Sequence, residues 1–220
     1  MSTFVSYLSS FFDIIQNFIY SFIPNLGVSY ILAILVFTGI VRLILLPVNI
    51  KQTKSQFKMT EIQPEMKKIQ DKYKNDKTKQ QEETMKLYKE KGVSPFSSCL
   101  PLLIQMPILF SLFYVFRDLQ GIEGVKFLWL TLDESDPAFI LPIISGLTTY
   151  VSSKLAAAGS TGDQAKQTQM MNIGMSVFLV FMSSKFSTVL VFYWITNNTI
   201  QIIQTALMKK AMKKEKEAAV

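Results

Sequence analysis

Residues 28–50 read VSYILAILVFTGIVRLILLPVNI, and the one charged residue in that stretch is Arg42. A helix needs about 20 mostly apolar residues to cross a bilayer, which this segment supplies. Arg42 lies about 15 residues in, roughly 22 Å along a helix rising 1.5 Å per residue. More than half of a roughly 30 Å hydrocarbon core is then behind it. An arginine at that depth costs about 2.5–3.5 kcal/mol even on the mild insertion scale. A carboxylate, several carbonyls or a water-filled cavity has to offset that cost.

Working outward, four more stretches are long and apolar enough to span: 96–117, 138–156, 169–183 and 188–208. Ser183-Ser184-Lys185-Phe186-Ser187 is the one plausible turn between the last two. Residues 1–27 alternate Phe4, Leu8, Phe11, Phe12, Ile15, Phe18, Ile19 and Phe22 with polar residues. This predicts an amphipathic helix lying in the membrane interface and ending near Pro24 and Gly27. The alternative, a sixth span, would set Asp13, Gln16 and Asn17 mid-membrane. The same residues lack the basic start and small-residue cleavage site of a secretory signal. The first span is therefore expected either to serve as its own signal or to follow a segment already removed.

Lysine placement sets the orientation. Lysines crowd residues 51–95 and the tail 209–220, whereas the loop 118–137 is dominated by Asp118, Glu123, Asp133, Glu134 and Asp136. Five spans starting outside place both basic segments and the short loop 157–168 in the cytoplasm, with the acidic loop outside. Within 51–95, Ile62, Met66, Ile69 and Tyr73 form one helical stripe, and Met85 and Tyr88 begin another. Asn75 and Asp76 mark a bend and Gly92 suits a C-terminal cap, so a cytoplasmic helical hairpin is expected. A solvated loop that merely enforces topology is the simpler alternative.

No Asp or Glu lies in any of the five spans, so a standing internal ion pair is ruled out and water is favoured as the partner of Arg42. Polar residues recur on one face of each span. They include Thr38 and Asn49 in the first, Ser98 and Gln105 in the second, and Thr148, Thr149 and Ser152 in the third. Thr168, Asn172 and Ser176 follow in the fourth, then Trp194, Asn197, Asn198, Gln201 and Gln204 or Thr205 in the fifth. Most fall in the cytoplasmic half of their span, while the outer halves are almost wholly apolar. Each alone reads as ordinary interhelical glue. Together, around an arginine without a carboxylate, they predict a wet cavity open to the cytoplasm and sealed outside. Prolines at 47, 101, 107 and 142 disrupt helical bonding, and Pro47 should free the carbonyl of Leu43.

Composition narrows the chemistry further. The 220 residues carry a net charge of +7 and no histidine, which removes the commonest general base and metal ligand. Cys99 is the only cysteine, so no intrachain disulfide forms, and it is expected to pack as a small apolar residue. No metal, cofactor or catalytic group is expected. A small secondary transporter for an anionic solute, with Arg42 as its binding residue, is the rival reading. It calls for inverted repeats and outward access, and neither is evident.

Particular motifs resemble those of the YidC/Oxa/Alb insertases. Thr38-Gly39-Ile40-Val41-Arg42 through Leu46-Pro47 is similar to that family's arginine-bearing first core helix. Leu87-Tyr88-Lys89, Val93-Ser94-Pro95 and Cys99-Leu100-Pro101-Leu102-Leu103-Ile104-Gln105-Met106-Pro107-Ile108 resemble its second. Asp136-Pro137 with Ile140-Leu141-Pro142-Ile143 resembles the start of its third. Phe192-Tyr193-Trp194, Asn198 and Ile202-Ile203-Gln204 resemble its last. Gly174-Met175 stands where a proline is expected, and Phe186-Ser187-Thr188 replaces a Pro-Ser-Gly-like turn. The lack of a large extracytoplasmic domain resembles the Gram-positive members.

The resemblance implies an all-α membrane protein, a five-helix bundle with a cytoplasmic hairpin and an N-terminal interfacial helix. It implies energy-independent insertion of nascent membrane proteins through a groove formed by Arg42, Thr38, Gln105, Asn49, Tyr193, Trp194, Asn198 and Gln201. Implied partners are nascent substrates, the bilayer and the ribosome, docked by the basic hairpin and tail, with the Sec translocon a candidate. The implied unit is a monomer in the bacterial plasma membrane, N-terminus outside and C-terminus in the cytoplasm.

Overall fold

The computed structural model describes residues 2–94, 106, 110–111, 113–116, 119, 121–157 and 162–218. Most of the expected second span, including Ser98, Cys99 and Gln105, lies outside the described residues. The rest is mostly helical. Helix α1 (Ser2–Phe22) buries Phe12, Ile15 and Gln16 against α2 (Leu26–Ile44). Its opposite face leaves Tyr7, Ile14, Phe18 and Phe22 exposed. The Phe12 ring sits 5.7 Å from Phe37 and 5.6 Å from Phe116, and Gln16 Nε2 donates to Ser29 Oγ at 3.1 Å. Asn25 starts α2 by accepting from the Val28 amide at 3.1 Å, satisfying one orphan donor of the helix end.

Helix α3 (Leu46–Glu61) and α4 (Gln63–Lys72) continue the path of α2 after breaks at Leu45 and Ile62. Each break precedes a proline in the first turn of the next helix, Pro47 and Pro64, where the missing N–H costs nothing. The chain turns at residues 73–76, and α5 (Lys77–Glu90) packs back on α4. Asp76 caps α5 through the Lys79 amide at 3.0 Å. Gly92, at φ 60, closes the other end. The Val93 amide reaches the Tyr88 carbonyl at 2.9 Å and the Gly92 amide reaches that of Lys89 at 3.2 Å, the paired bonds of a Schellman ending. Ile62, Met66, Leu87 and Val93 form a small core of their own, with Ile69 and Tyr88 against it.

Beyond the partly described second span, strands β1 (Lys126–Phe127) and β2 (Leu130–Thr131) make a tight antiparallel hairpin. It presses on the start of α2, where a Cβ on Gly27 would collide with the Lys126 carbonyl. Asp136 then organises the entry into α6 (Ile140–Ala156). Its buried carboxylate accepts from the Ala138 amide at 2.9 Å, the Leu141 amide at 2.7 Å and Trp129 Nε1 at 3.2 Å. A carboxylate at a helix N-terminus also meets the favourable end of the helix dipole. These bonds hold Phe139 at φ 60, a left-handed backbone that costs an L-residue about 1–2 kcal/mol.

Helix α7 (Gly162–Ser183) packs along α6, and α8 (Thr188–Ala218) packs on both α6 and α2. The loop closes the near end of α8. The Thr188 amide reaches the Glu134 carbonyl at 2.7 Å and the Val189 amide that of Leu132 at 3.2 Å. The α6–α7 seam is built on small residues: Ser145 and Ser183 hydroxyls meet at 2.8 Å, and Gly146 lies directly under Val180. Outward, α6 and α7 present Ile143, Leu147, Val151, Val177, Phe178 and Phe181 as exposed apolar side chains. A water-soluble surface rarely carries so broad an apolar patch. Among the described residues α2 is the one helix that meets strict criteria of length and hydropathy for crossing a bilayer.

If the apolar outer faces of α6 and α7 meet lipid, which is as apolar as a leucine side chain, close packing rather than hydrophobic transfer holds their seam. Gly146→Val inserts carbons where Val180 and the Ser176 carbonyl already sit, whereas Gly174 faces open space. Gly146→Val is expected to lower stability by about 1–3 kcal/mol, and Gly174→Val by far less. Thermal denaturation in detergent, followed by size-exclusion fluorescence, checks the difference.

Candidate functional site

Arg42 occupies the last turn of α2, half-buried, beside the polar face of α8. Its Nε donates to Asn197 Oδ1 at 2.9 Å, and its Nη2 to the Asn197 backbone carbonyl at 3.1 Å. Its Nη1 donates to Gln201 Oε1 at 2.6 Å. Sequence reasoning favoured water as the main partner of this charge. The structure instead supplies three protein oxygens, all neutral, from one face of one helix. Hydrogen bonds to a charged group contribute about 1.5–3 kcal/mol each, so the three together offset the mild-scale cost of burying the arginine. Among the described residues no carboxylate forms an ion pair with Arg42.

Gln201 is itself oriented, since its Nε2 donates to Thr205 Oγ1 at 3.1 Å. Thr38, one turn before Arg42, is buried, and its hydroxyl has no partner among the described residues. Asn49 is buried on α3, and its Nδ2 is likewise unpartnered among them, as are Gln52 Nε2 and both polar atoms of Gln204. Polar atoms this deep ordinarily find a partner, protein or water.

Two of the expected groove residues lie on a different face of α8. Trp194 Nε1 donates to Thr149 Oγ1 at 3.0 Å, and Asn198 Nδ2 donates to the same oxygen at 2.7 Å. Thr149 donates in turn to the Ser145 carbonyl at 2.8 Å. A hydroxyl has one donor and two acceptor sites, so Thr149 is saturated. Tyr193 is buried in the main apolar cluster, with its ring 5.8 Å from that of Phe116. The structure thus sorts the set into an arginine network facing α2 and a threonine network facing α6, with Tyr193 in the wall between helices. Gln105 lies outside the described residues. Asn197 was visible in the sequence as part of a polar stripe, but its pairing with Arg42 was not. The signal available was its four-residue spacing from Gln201, which puts both amides on one helical face.

The α4–α5 hairpin is strongly basic at its surface, with Lys67, Lys68, Lys72, Lys74 and Lys77 exposed. Lys91 meets Glu65 at 2.7 Å, joining the end of α5 to the start of α4. Lys86 bridges Glu83 at 2.8 Å and Glu82 at 3.1 Å. The hydrogen bond to Lys86 holds the Glu83 carboxyl below its usual range, and the same contacts raise the Lys86 ammonium. Exposed pairs of this kind stabilise little. They leave most of the lysine charge free to face an anionic surface.

The chain is similar to proteins of known family. The family model described as "60Kd inner membrane protein" matches residues 20–216. A Clostridium tetani protein named Membrane protein insertase YidC is 49% identical over 207 residues, covering 94% of each chain. One of the same name from Clostridium perfringens is 48% identical, covering 99% of this chain and 98% of its own. The solved structure "Active YidC insertase crystal structure with the first transmembrane domain resolved" superposes with a TM-score of 0.69 at 33% identity. The match covers 92% of this chain and 45% of that longer one.

Thr149→Val keeps the shape of the side chain but strands the Trp194 and Asn198 donors. The expected loss is about 0.6–1.7 kcal/mol, the range measured for such bonds within a bilayer. In a Trp129→Phe background, a shift in Trp194 emission should accompany the lowered denaturation midpoint. An unchanged midpoint would show that the threonine network contributes nothing.

Proposed function

The chain belongs to the YidC/Oxa/Alb family of membrane protein insertases, and from that premise we propose that it moves nascent membrane proteins into the bilayer through a hydrophilic groove open to cytoplasm and lipid. Arg42 carries the reading. A guanidinium fixed by neutral oxygens keeps its full positive charge, and it stands where an acidic segment of a passing chain can reach it. Thr38, Asn49, Gln105 and Gln201 keep the groove hydrated. The polar atoms at Thr38, Asn49, Gln52 and Gln204 that have no partner among the described residues support that role, because water or a substrate oxygen can satisfy them. Trp194 and Asn198 hold the wall against α6, Tyr193 backs that wall from the apolar cluster, and Trp194 contacts the passing helix.

The proposed steps are these. Arg42 attracts the acidic leading tail of a substrate and draws it partway across a hydrated, thinned region. The substrate's apolar helix then moves sideways into lipid, which favours it by about 0.3–0.6 kcal/mol for each Leu, Ile, Phe or Val. The tail is released on the outer side as its helix takes up the span. No catalytic group takes part.

Five spans complete the reading: α2 with the start of α3, the partly described segment around Phe110–Phe116, α6, α7 and α8. The amphipathic α1 lies in the outer interface, the N-terminus is outside and the C-terminus cytoplasmic. The basic α4–α5 hairpin and the end of α8 face the ribosome or anionic lipid in the cytoplasm. The unit acts as a monomer, with the Sec translocon as an occasional neighbour, in the bacterial inner membrane.

The test compares wild type with Arg42→Ala and Arg42→Lys in cells depleted of the native insertase, using a single-spanning client with an acidic N-terminal tail. Insertion is expected to fail with Ala and to survive, reduced, with Lys. Normal insertion by both variants would mean that hydration and membrane thinning do the work and the charge does not.

A further inference from the structure

Asn197 presents two oxygens to the same edge of the guanidinium. Its Oδ1 accepts from Nε at 2.9 Å and its backbone carbonyl from Nη2 at 3.1 Å, while Gln201 takes Nη1 at 2.6 Å. An arginine has five N–H groups in a rigid planar fork. Three are occupied here, which leaves one on each terminal nitrogen without an acceptor among the described residues. Two contacts from one residue fix the plane of the fork as well as its position. All three acceptors are uncharged, so the direction of the charge is set without neutralising it.

The identity of the residue matters for that second property. Aspartate is nearly the same size and shape as asparagine, and it would accept from Nε with better geometry and more energy. It would also turn the contact into an ion pair and remove the field that a substrate carboxylate senses. We propose that Asn197 is the positioning and specificity-determining residue of this site. By holding Arg42 through neutral oxygens it turns the two remaining N–H groups toward the groove and preserves the preference for acidic substrate segments. Gln201 supports it from the next turn, steadied by Thr205. The inference rests on the reading of Arg42 as the group that attracts those segments.

The experiment uses the full chain in depleted cells and two single-spanning clients that differ only in an acidic or a neutral leading tail. The quantity read is the ratio of acidic to neutral client inserted, which is independent of expression level. An attraction of this kind should make wild type favour the acidic client about tenfold, equivalent to about 1.4 kcal/mol. Asn197→Asp is expected to bring the ratio to about one, and Gln201→Glu to lower it in the same direction. Asn197→Ala keeps the charge but loses the alignment, so yield falls for both clients while the ratio stays above one. If wild type shows no preference, the attraction step itself is wrong. If wild type shows the preference and Asn197→Asp retains it, or if Asn197→Asp loses both clients alike, the assignment of Asn197 is overturned.

Discussion

A single positive charge in the apolar face of α2 constrains this molecule more than any other feature. Arg42 cannot be left bare in apolar surroundings, and the long apolar stretches of the sequence contain no carboxylate to meet it. The answer is geometric: α8 runs beside α2 and offers three oxygens across two turns. That contact fixes the register of α8 against α2, because a shift of one residue would turn Asn197 and Gln201 away. It also fixes the other faces of α8. With positions 197 and 201 committed to α2, Trp194 and Asn198 face α6 and find Thr149.

The remaining structure keeps that register. Small residues let α6 approach α7 closely, with the Ser145–Ser183 contact and Gly146 beneath Val180. At one end, the loop of residues 121–139 reaches three helices. It meets the start of α2 at Gly27, the first amides of α8 at Thr188 and Val189, and the first amides of α6 through Asp136. Backbone bonds and a buried carboxylate are stiff attachments. The apolar outward faces of α6 and α7, by contrast, have nothing specific to hold and suit a fluid solvent.

Much of this was legible where the chemistry is local. Stripes at Ile62, Met66 and Ile69 lie in one small core, and Gly92 ends a helix because only the left-handed backbone completes the bonds to Tyr88 and Lys89. Periodicity reports such features directly, since the partners lie within a few dozen residues. The pairing of Arg42 with Asn197 spans most of the chain, and no local pattern encodes it. Composition could say that the charge lacked a carboxylate, but water and amide oxygens are equivalent solutions to that deficit. Likewise Asp136 reads as an acidic loop residue in the motif that starts the third span, but nothing local shows that its buried carboxylate organises the entry to α6. Charge counting cannot tell a solvated carboxylate from one that accepts three N–H groups.

Neutral amides around a cation are a particular choice among the possible ones. A carboxylate would hold Arg42 more tightly and stabilise the α2–α8 contact further, but a closed ion pair presents almost no field to a third group. Water would leave the field intact, yet let the side chain swing toward the headgroups on its flexible stem. Asparagine and glutamine lie between these limits, since they bond well enough to fix the fork and carry no charge to cancel it. The polar atoms at Thr38, Asn49, Gln52 and Gln204, without partners among the described residues, keep hydrogen-bonding capacity on α2, α3 and α8 without adding charge of either sign. Under the proposed function, a site that attracts an acidic segment and then releases it would benefit from that balance. The attraction would be strong while such a segment lay in a shielded groove, and would weaken as soon as it reached bulk water, where the dielectric is several-fold higher.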